Sequence, residues 1–143
     1  MKLVIGSDHG GFELKEELKK RLLEEGHQVK DIGCYDKNPV DYPETAETLC
    51  RTLLEEGLDF GLLCCGTGIG VSIAANKIPG IRAALCSDCY SARMAKAHNN
   101  ANVITMGGRT VGVELAWMMV QEYMKETFLG GIHEKRVDMI NHL

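Results

Sequence analysis

Short, wholly apolar runs alternate with amphipathic stretches along the entire chain, which restricts it to folds that bury strands on both faces. Residues 2–7 (KLVIGS) and 60–65 (FGLLCC) are consecutive apolar or small side chains without polar alternation, the pattern of such strands. Residues 27–32, 81–86 and 102–106 read as three more. Between them, Leu14, Leu18 and Leu22 recur four apart in a helix predicted over 11–25, which Gly26 stops. Further helices are predicted over 44–56, from a glycine-rich turn to about residue 77, over 87–98 and over 110–128. A last short helix is expected in the tail 129–143, and 33–43, with Gly, Asp, Asn and two Pro, reads as a loop.

Five βα units in series require parallel pairing with right-handed crossovers. The expected fold is therefore α/β: a three-layer α/β/α, Rossmann-like sandwich of the doubly wound type with a five-stranded parallel sheet. The 143 residues suit one domain, 1–143, around a single core. Ligands of such sheets bind beyond the carboxyl ends of the strands, so chemistry is sought just after Ser7, Cys65, Cys86 and Met106.

A net charge of −4 argues against a broad nucleic-acid surface, though not against a small anion met by local positive groups. The start of the chain has no basic, apolar leader pattern, and the apolar runs are too short to cross a bilayer. Six cysteines without a secretory signal fit free thiols in the cytoplasm.

After the first strand, Asp8 and His9 stand where proton transfer or ligand binding occurs; equally, Asp8 caps the first helix and His9 lies on the surface. After the third comes Cys64-Cys65-Gly66-Thr67-Gly68-Ile69-Gly70. Glycines at alternate positions let main-chain N–H groups approach a phosphate or an oxyanion, yet the spacing is neither that of a Walker loop nor that of a dinucleotide fingerprint. A helix N-terminus beyond Cys65 would favour its thiolate, while strand alternation sends Cys64 and Cys65 to opposite sides, so one of the pair is packing. Cys86 and Cys89 form a C-x-x-C without a second such pair, a weak basis for metal or disulfide chemistry. His98 and Asn99 end a helix at what should be the wrong edge of the sheet. Arg109, in a Gly-Gly-Arg after the fifth strand, is a natural anion clamp, whereas Arg136 in the tail reads by itself as solvated.

Taken together, Ser7-Asp8-His9-Gly10-Gly11, Asp41-Tyr42-Pro43, Cys65 to Gly70 with Ala74-Ala75-Asn76-Lys77, Ala97-His98-Asn99, Gly107-Gly108-Arg109 and Gly130-Gly131 with Arg136 resemble the type B ribose-5-phosphate isomerases. That wider family includes galactose-6-phosphate isomerase subunits. The resemblance runs over nearly the whole chain. It implies a cofactor-free, metal-free aldose–ketose isomerase interconverting ribose 5-phosphate and ribulose 5-phosphate in the pentose phosphate pathway. It also implies a homodimer, with tetramers left open, whose sites lie at the subunit interface.

By the same resemblance Cys65 moves a proton between C2 and C1, and His98 opens the sugar ring with help from Asp8. The amides of Gly66, Thr67, Gly68, Ile69 and Gly70 hold the enediolate, supported by the Thr67 side chain. Tyr42 and Asn99 belong to the substrate site, and His9, Arg109, His133 and Arg136 to the phosphate and its surroundings. Two positions depart from the family pattern. Val71 stands where some relatives carry an acidic base, placing this chain with the cysteine users, and Ile132 stands where many carry an arginine. The competing readings are a hexose-phosphate isomerase, a nucleotide- or phosphate-binding regulatory module, and a redox protein using Cys86 and Cys89.

Overall fold

The computed structural model describes residues 1–143. Its strands are β1 (Lys2–Ser7), β2 (Gln28–Asp31), β3 (Phe60–Cys65), β4 (Ala83–Leu85) and β5 (Val103–Gly107). Its helices are α1 (Phe12–Glu24), α2 (Tyr42–Glu56), α3 (Ile69–Ala75), α4 (Cys89–Ala97), α5 (Val113–Lys125) and α6 (Ile132–Asn141), with a 3-10 turn over His9–Gly11. The strands form one parallel sheet in the order β2-β1-β3-β5-β4.

That order places the helices. From β1 the chain first steps outward to β2, then back past β1 to β3 and on toward β4. With right-handed crossovers, α1 and α4 fall on one face and α2 and α3 on the other. The packing agrees. Leu14, Leu18 and Leu22 of α1 join Ala92 of α4 and Met119 and Val120 of α5 over Leu3, Ile5, Leu62, Cys64 and Ile104. On the opposite face Leu49, Cys50 and Leu53 of α2 and Val71 and Ala75 of α3 cover Val4, Leu63, Cys65 and Val103. Alternation along β3 thus sends Cys64 to one core and Cys65 to the other, as expected for adjacent strand residues.

Several boundaries differ from the sequence reading. Strand β4 is only Ala83–Leu85, because Asn102 takes the Arg82 N–H with its side-chain oxygen at 2.8 Å. Asn76 then closes the edge, accepting from Ala83 N at 2.8 Å and donating to Ala83 O at 2.9 Å, as a neighbouring strand would. Helix α2 begins at Tyr42 rather than Glu44, since Pro43 occupies its first turn, where a missing N–H costs nothing.

One buried charge organises the side of the sheet nearest β2. Lys15 of α1 is wholly inaccessible, and its Nζ donates to both Asp31 carboxylate oxygens at 2.9 Å and to the Cys34 carbonyl. Lys19 joins the same carboxylate at 2.9 Å. Burial alone would raise the Asp31 carboxyl. The bonds from Lys15, the Gly33 N–H and Lys19 outweigh it and hold the group below its ordinary value of 3.8. The pair ties helix, strand and the first residues of the following loop into one unit.

A buried pair broken on one side leaves an uncompensated charge, so Lys15→Met is expected to cost about 3 kcal/mol or more in urea unfolding at neutral pH. A depressed carboxyl stabilises fully above its unfolded value of 3.8, and the contribution fades as pH falls through the lower native value. The acid limb of stability against pH is therefore shallower in Asp31→Asn than in the natural chain. An unchanged limb would show that the pair is not the acid-sensitive element.

Candidate active site

Strands β1 and β3 are neighbours from which the chain leaves in opposite directions, the switch point at which doubly wound sheets bind ligands. Three segments meet there: Asp8 to Gly11 after β1, Gly66 to Gly70 after β3, and Gly108 to Arg109 after β5. Main-chain bonds lace them together, with Asp8 N donating to Cys64 O at 3.2 Å, Gly108 N to Cys65 O at 2.8 Å and Arg109 N to Gly66 O at 3.0 Å. The approach is too close for side chains. A Cβ at Gly11 would lie 2.4 Å from the Cys64 carbonyl, and one at Gly107 would lie 2.6 Å from Thr67 Cα. Thr105, buried in β5, adds a bond from its hydroxyl to Gly68 O at 2.8 Å.

Cys65 ends β3 inside this junction. Its Sγ accepts the Gly68 N–H at 3.0 Å, in a turn where Gly68 has φ +79°. Thr67 Oγ1 accepts from Ile69 N at 3.2 Å. The N–H groups of Gly66, Thr67 and Gly70 donate to nothing within the chain, which leaves three free donors for a ligand's oxygens. Helix α3 has seven residues, so these individual amides, rather than a long helix dipole, supply the positive field. Cys64, by contrast, is fully buried on the other face, where burial pushes its thiol far above the usual range. It is the packing member of the pair.

Asp8 is buried and caps the 3-10 turn that precedes α1 rather than α1 itself, its Oδ1 accepting from Gly11 N at 3.1 Å. It does so at the rim of the junction, so capping and proximity to the site coexist. His9 is exposed, and its Nδ1 accepts the Val40 N–H at 3.4 Å. Tyr42, at the start of α2, lays its ring over the loop, so that a Cβ at Gly70 would stand 2.6 Å from Tyr42 Cζ. Arg109 bends back beside the loop, its Nη1 3.2 Å from where a Cβ at Gly66 would be.

The remaining sequence candidates gather elsewhere. His98 caps the carboxyl end of α4, and Asn99 follows it, at the edge where β5 begins. His133 of α6 stacks on His98 with centroids 4.1 Å apart and planes 7° from parallel. Burial, His98 and the nearby Arg136 hold His133 below its ordinary 6.5. The cluster of His98, Asn99, His133 and Arg136 thus lies at the amino edge of the sheet. The length of β3 separates it from Cys65, roughly 20 Å at 3.3 Å per residue.

The arginines divide by use. Arg21, Arg51 and Arg93 bond glutamates, and Arg82 bonds the Asn100 carbonyl. Arg109 and Arg136, one in each cluster, have no side-chain partner within the chain. Cys86 and Cys89 are not joined by further His, Cys, Asp or Glu into a metal-type group, and burial pushes the Cys86 thiol up to about 11. Sequence reasoning missed Lys15, Asp31 and the loop they hold beside His9. The signal was present, since Lys15, Leu18 and Leu22 fall on one helical face.

A thiol, a carboxylate and unpartnered amides thus meet at the switch point of a doubly wound sheet, where α/β proteins bind their ligands. The chain belongs to the Ribose/Galactose Isomerase family, whose model matches residues 3–140, and it is accordingly an isomerase. Ribose-5-phosphate isomerase B of Escherichia coli (strain K12) is 44% identical over 139 residues, covering 97% of this chain and 93% of that protein. The crystal structure of a ribose 5-phosphate isomerase from Thermotoga maritima superposes with a TM-score of 0.97 at 47% identity, covering 99% and 98%. Type B ribose 5-phosphate isomerase of Trypanosoma brucei gives 0.94 at 40% identity, covering 99% and 97%. No helix is long and apolar enough to cross a membrane.

Gly68→Ala tests the loop directly. A Cβ there would meet Leu85 Cδ1 at 2.6 Å and the Met106 carbonyl carbon at 2.8 Å, on a backbone that L side chains rarely adopt. Isomerase activity is expected to fall by about two orders of magnitude while the far-ultraviolet circular dichroism is kept. Full activity would show that the turn geometry is not what the chemistry needs.

Proposed function

We propose that this chain interconverts ribose 5-phosphate and ribulose 5-phosphate through an enediolate, with Cys65 as the base. The observation that carries the reading is the Cys65 thiol, ringed by free main-chain donors at the switch point. Aldose–ketose exchange removes a weakly acidic proton from C2 and returns it to C1. The Cys65 thiolate takes that proton, the electron pair moves onto the C1 carbonyl oxygen, and the amides of Gly66, Thr67 and Gly70 meet the charge that develops. As the thiol returns the proton to C1, the C2 hydroxyl gives up its proton to become the new carbonyl and the C1 oxygen takes one up. Such preorganised donors contribute about 3 kcal/mol each to transition states of this kind. Asp8 and His98 serve ring opening, and Tyr42, Thr67 and Asn99 border the sugar. Arg109, Arg136, His9 and His133 receive the phosphate.

The division of these residues between opposite edges supports a homodimer in which the His98 cluster of one copy faces Cys65 of the other. Exposed Ile69, Ile73 and Tyr90 on α3 and α4 give such pairing an apolar surface. Six free thiols fit the reducing cytoplasm, and the reaction fits the pentose phosphate pathway.

Ketose formation from ribose 5-phosphate by the purified chain, with a chelator present, tests the reading. Turnover is expected, and Cys65→Ala is expected to lose about three orders of magnitude or more in kcat. Retained activity in that variant would move the base to another residue; inactivity of the natural chain would turn the search to hexose phosphates. Arg136→Ala should raise KM for the phosphorylated sugar far more than for its unphosphorylated analogue. Equal effects on both would remove Arg136 from the phosphate site.

A further inference from the structure

Beside the Cys65 loop lies a cavity of about 230 Å³ lined by His9, Glu13, Lys37, Gly108 and Arg109. Its charges are arranged unequally. Arg109 is without a carboxylate, while Lys37 Nζ reaches across the mouth to Glu13 Oε1 at 2.5 Å. Both members of that pair are largely exposed, at 66% and 78% of their side-chain surface. Lys37 sits near the middle of the segment between β2 and α2. That segment is pinned at one end where Cys34 O meets Lys15 and at the other where Val40 N meets His9. The lysine is therefore held over the cavity by an anchored strap, and its own four-carbon stem is free to turn.

We propose that Lys37 is a phosphate-binding, specificity-determining residue, kept in reserve by Glu13 and transferred from its carboxylate to the phosphate dianion when the substrate enters. The inference rests on the sugar-phosphate reading above and deepens it by naming how charge is discriminated. An exposed ion pair is worth little, so a doubly charged phosphate beside Arg109 outcompetes the single carboxylate for the ammonium group. A sugar without phosphate gives Lys37 no reason to leave Glu13, and Glu13 remains at the mouth as the competing anion. The pair thereby separates phosphorylated from bare sugars before any contact at Cys65 is made. Glu13 acts through Lys37 and touches no reacting atom.

The test uses the full-length chain with Lys37→Met, Glu13→Gln and the double variant. It reads the Kd of inorganic phosphate by calorimetry beside KM and kcat for ribose 5-phosphate. Lys37→Met is expected to weaken phosphate about fivefold and to raise KM by a similar factor, with kcat moving less. It should also flatten the dependence of KM on ionic strength, because an exposed charge has been removed. Glu13→Gln is expected to act in the opposite direction, tightening phosphate about twofold, and the double variant should track Lys37→Met. An unaltered phosphate Kd in Lys37→Met, or weaker phosphate binding in Glu13→Gln, would overturn the proposal. If the natural chain does not turn over ribose 5-phosphate, the functional reading fails, while the calorimetric comparison still decides for or against Lys37.

Discussion

Everything at the site depends on backbones touching backbones. The segments after β1, β3 and β5 come together so closely that Gly11 lies against the Cys64 carbonyl and Gly107 against Thr67, with no room for a Cβ at either contact. The lateral bonds from Asp8, Gly108 and Arg109 into the end of β3 extend the sheet's hydrogen bonding past its last regular pair. The loop after Cys65 is consequently held from three sides by main-chain bonds and close contacts. Preorganisation of this kind is what lets neutral N–H groups stabilise a developing charge, because little must reorient during reaction. Thr105 reinforces it from below by holding the Gly68 carbonyl.

Charge is handled by a different principle on each side of this junction. Inside, Lys15 and Asp31 form a desolvated pair that fixes the segment beginning at Gly33, and through it the strap that reaches His9. Outside, Arg109 and Arg136 are left without partners, and the exposed ions around them are loosely paired. In a protein with net charge −4, the two arginines without a carboxylate or carbonyl partner therefore fall one in each cluster. The two clusters lie at opposite edges of one sheet, an arrangement that a single copy of this chain cannot close around a small molecule.

Much of this was legible in the residues. The strands are unbroken apolar runs and the glycine loops follow them, so the sheet and its carboxyl-end site emerge from pattern alone. Alternation separated Cys64 from Cys65 before their surroundings were known. What pattern misses is what long-range contacts decide. Asn76 stabilises an edge strand by side-chain mimicry, Pro43 starts a helix instead of ending a loop, and the stacked His98 and His133 come from segments far apart in the chain. Lys15 shows the limit most clearly: it occupies the buried face with Leu18 and Leu22, but only the position of Asp31 explains why a charge survives there.

The close packing of main chain around Cys65 also has a bearing on how such a site can diversify. A peptide N–H is contributed by every residue except proline, so most single substitutions leave it in place. Tyr42, His9, Lys37 and Arg109, by contrast, form the walls from side chains alone, each replaceable without disturbing the floor. The walls are therefore within reach of point substitution, whereas the donors of the floor are embedded in the course of the chain.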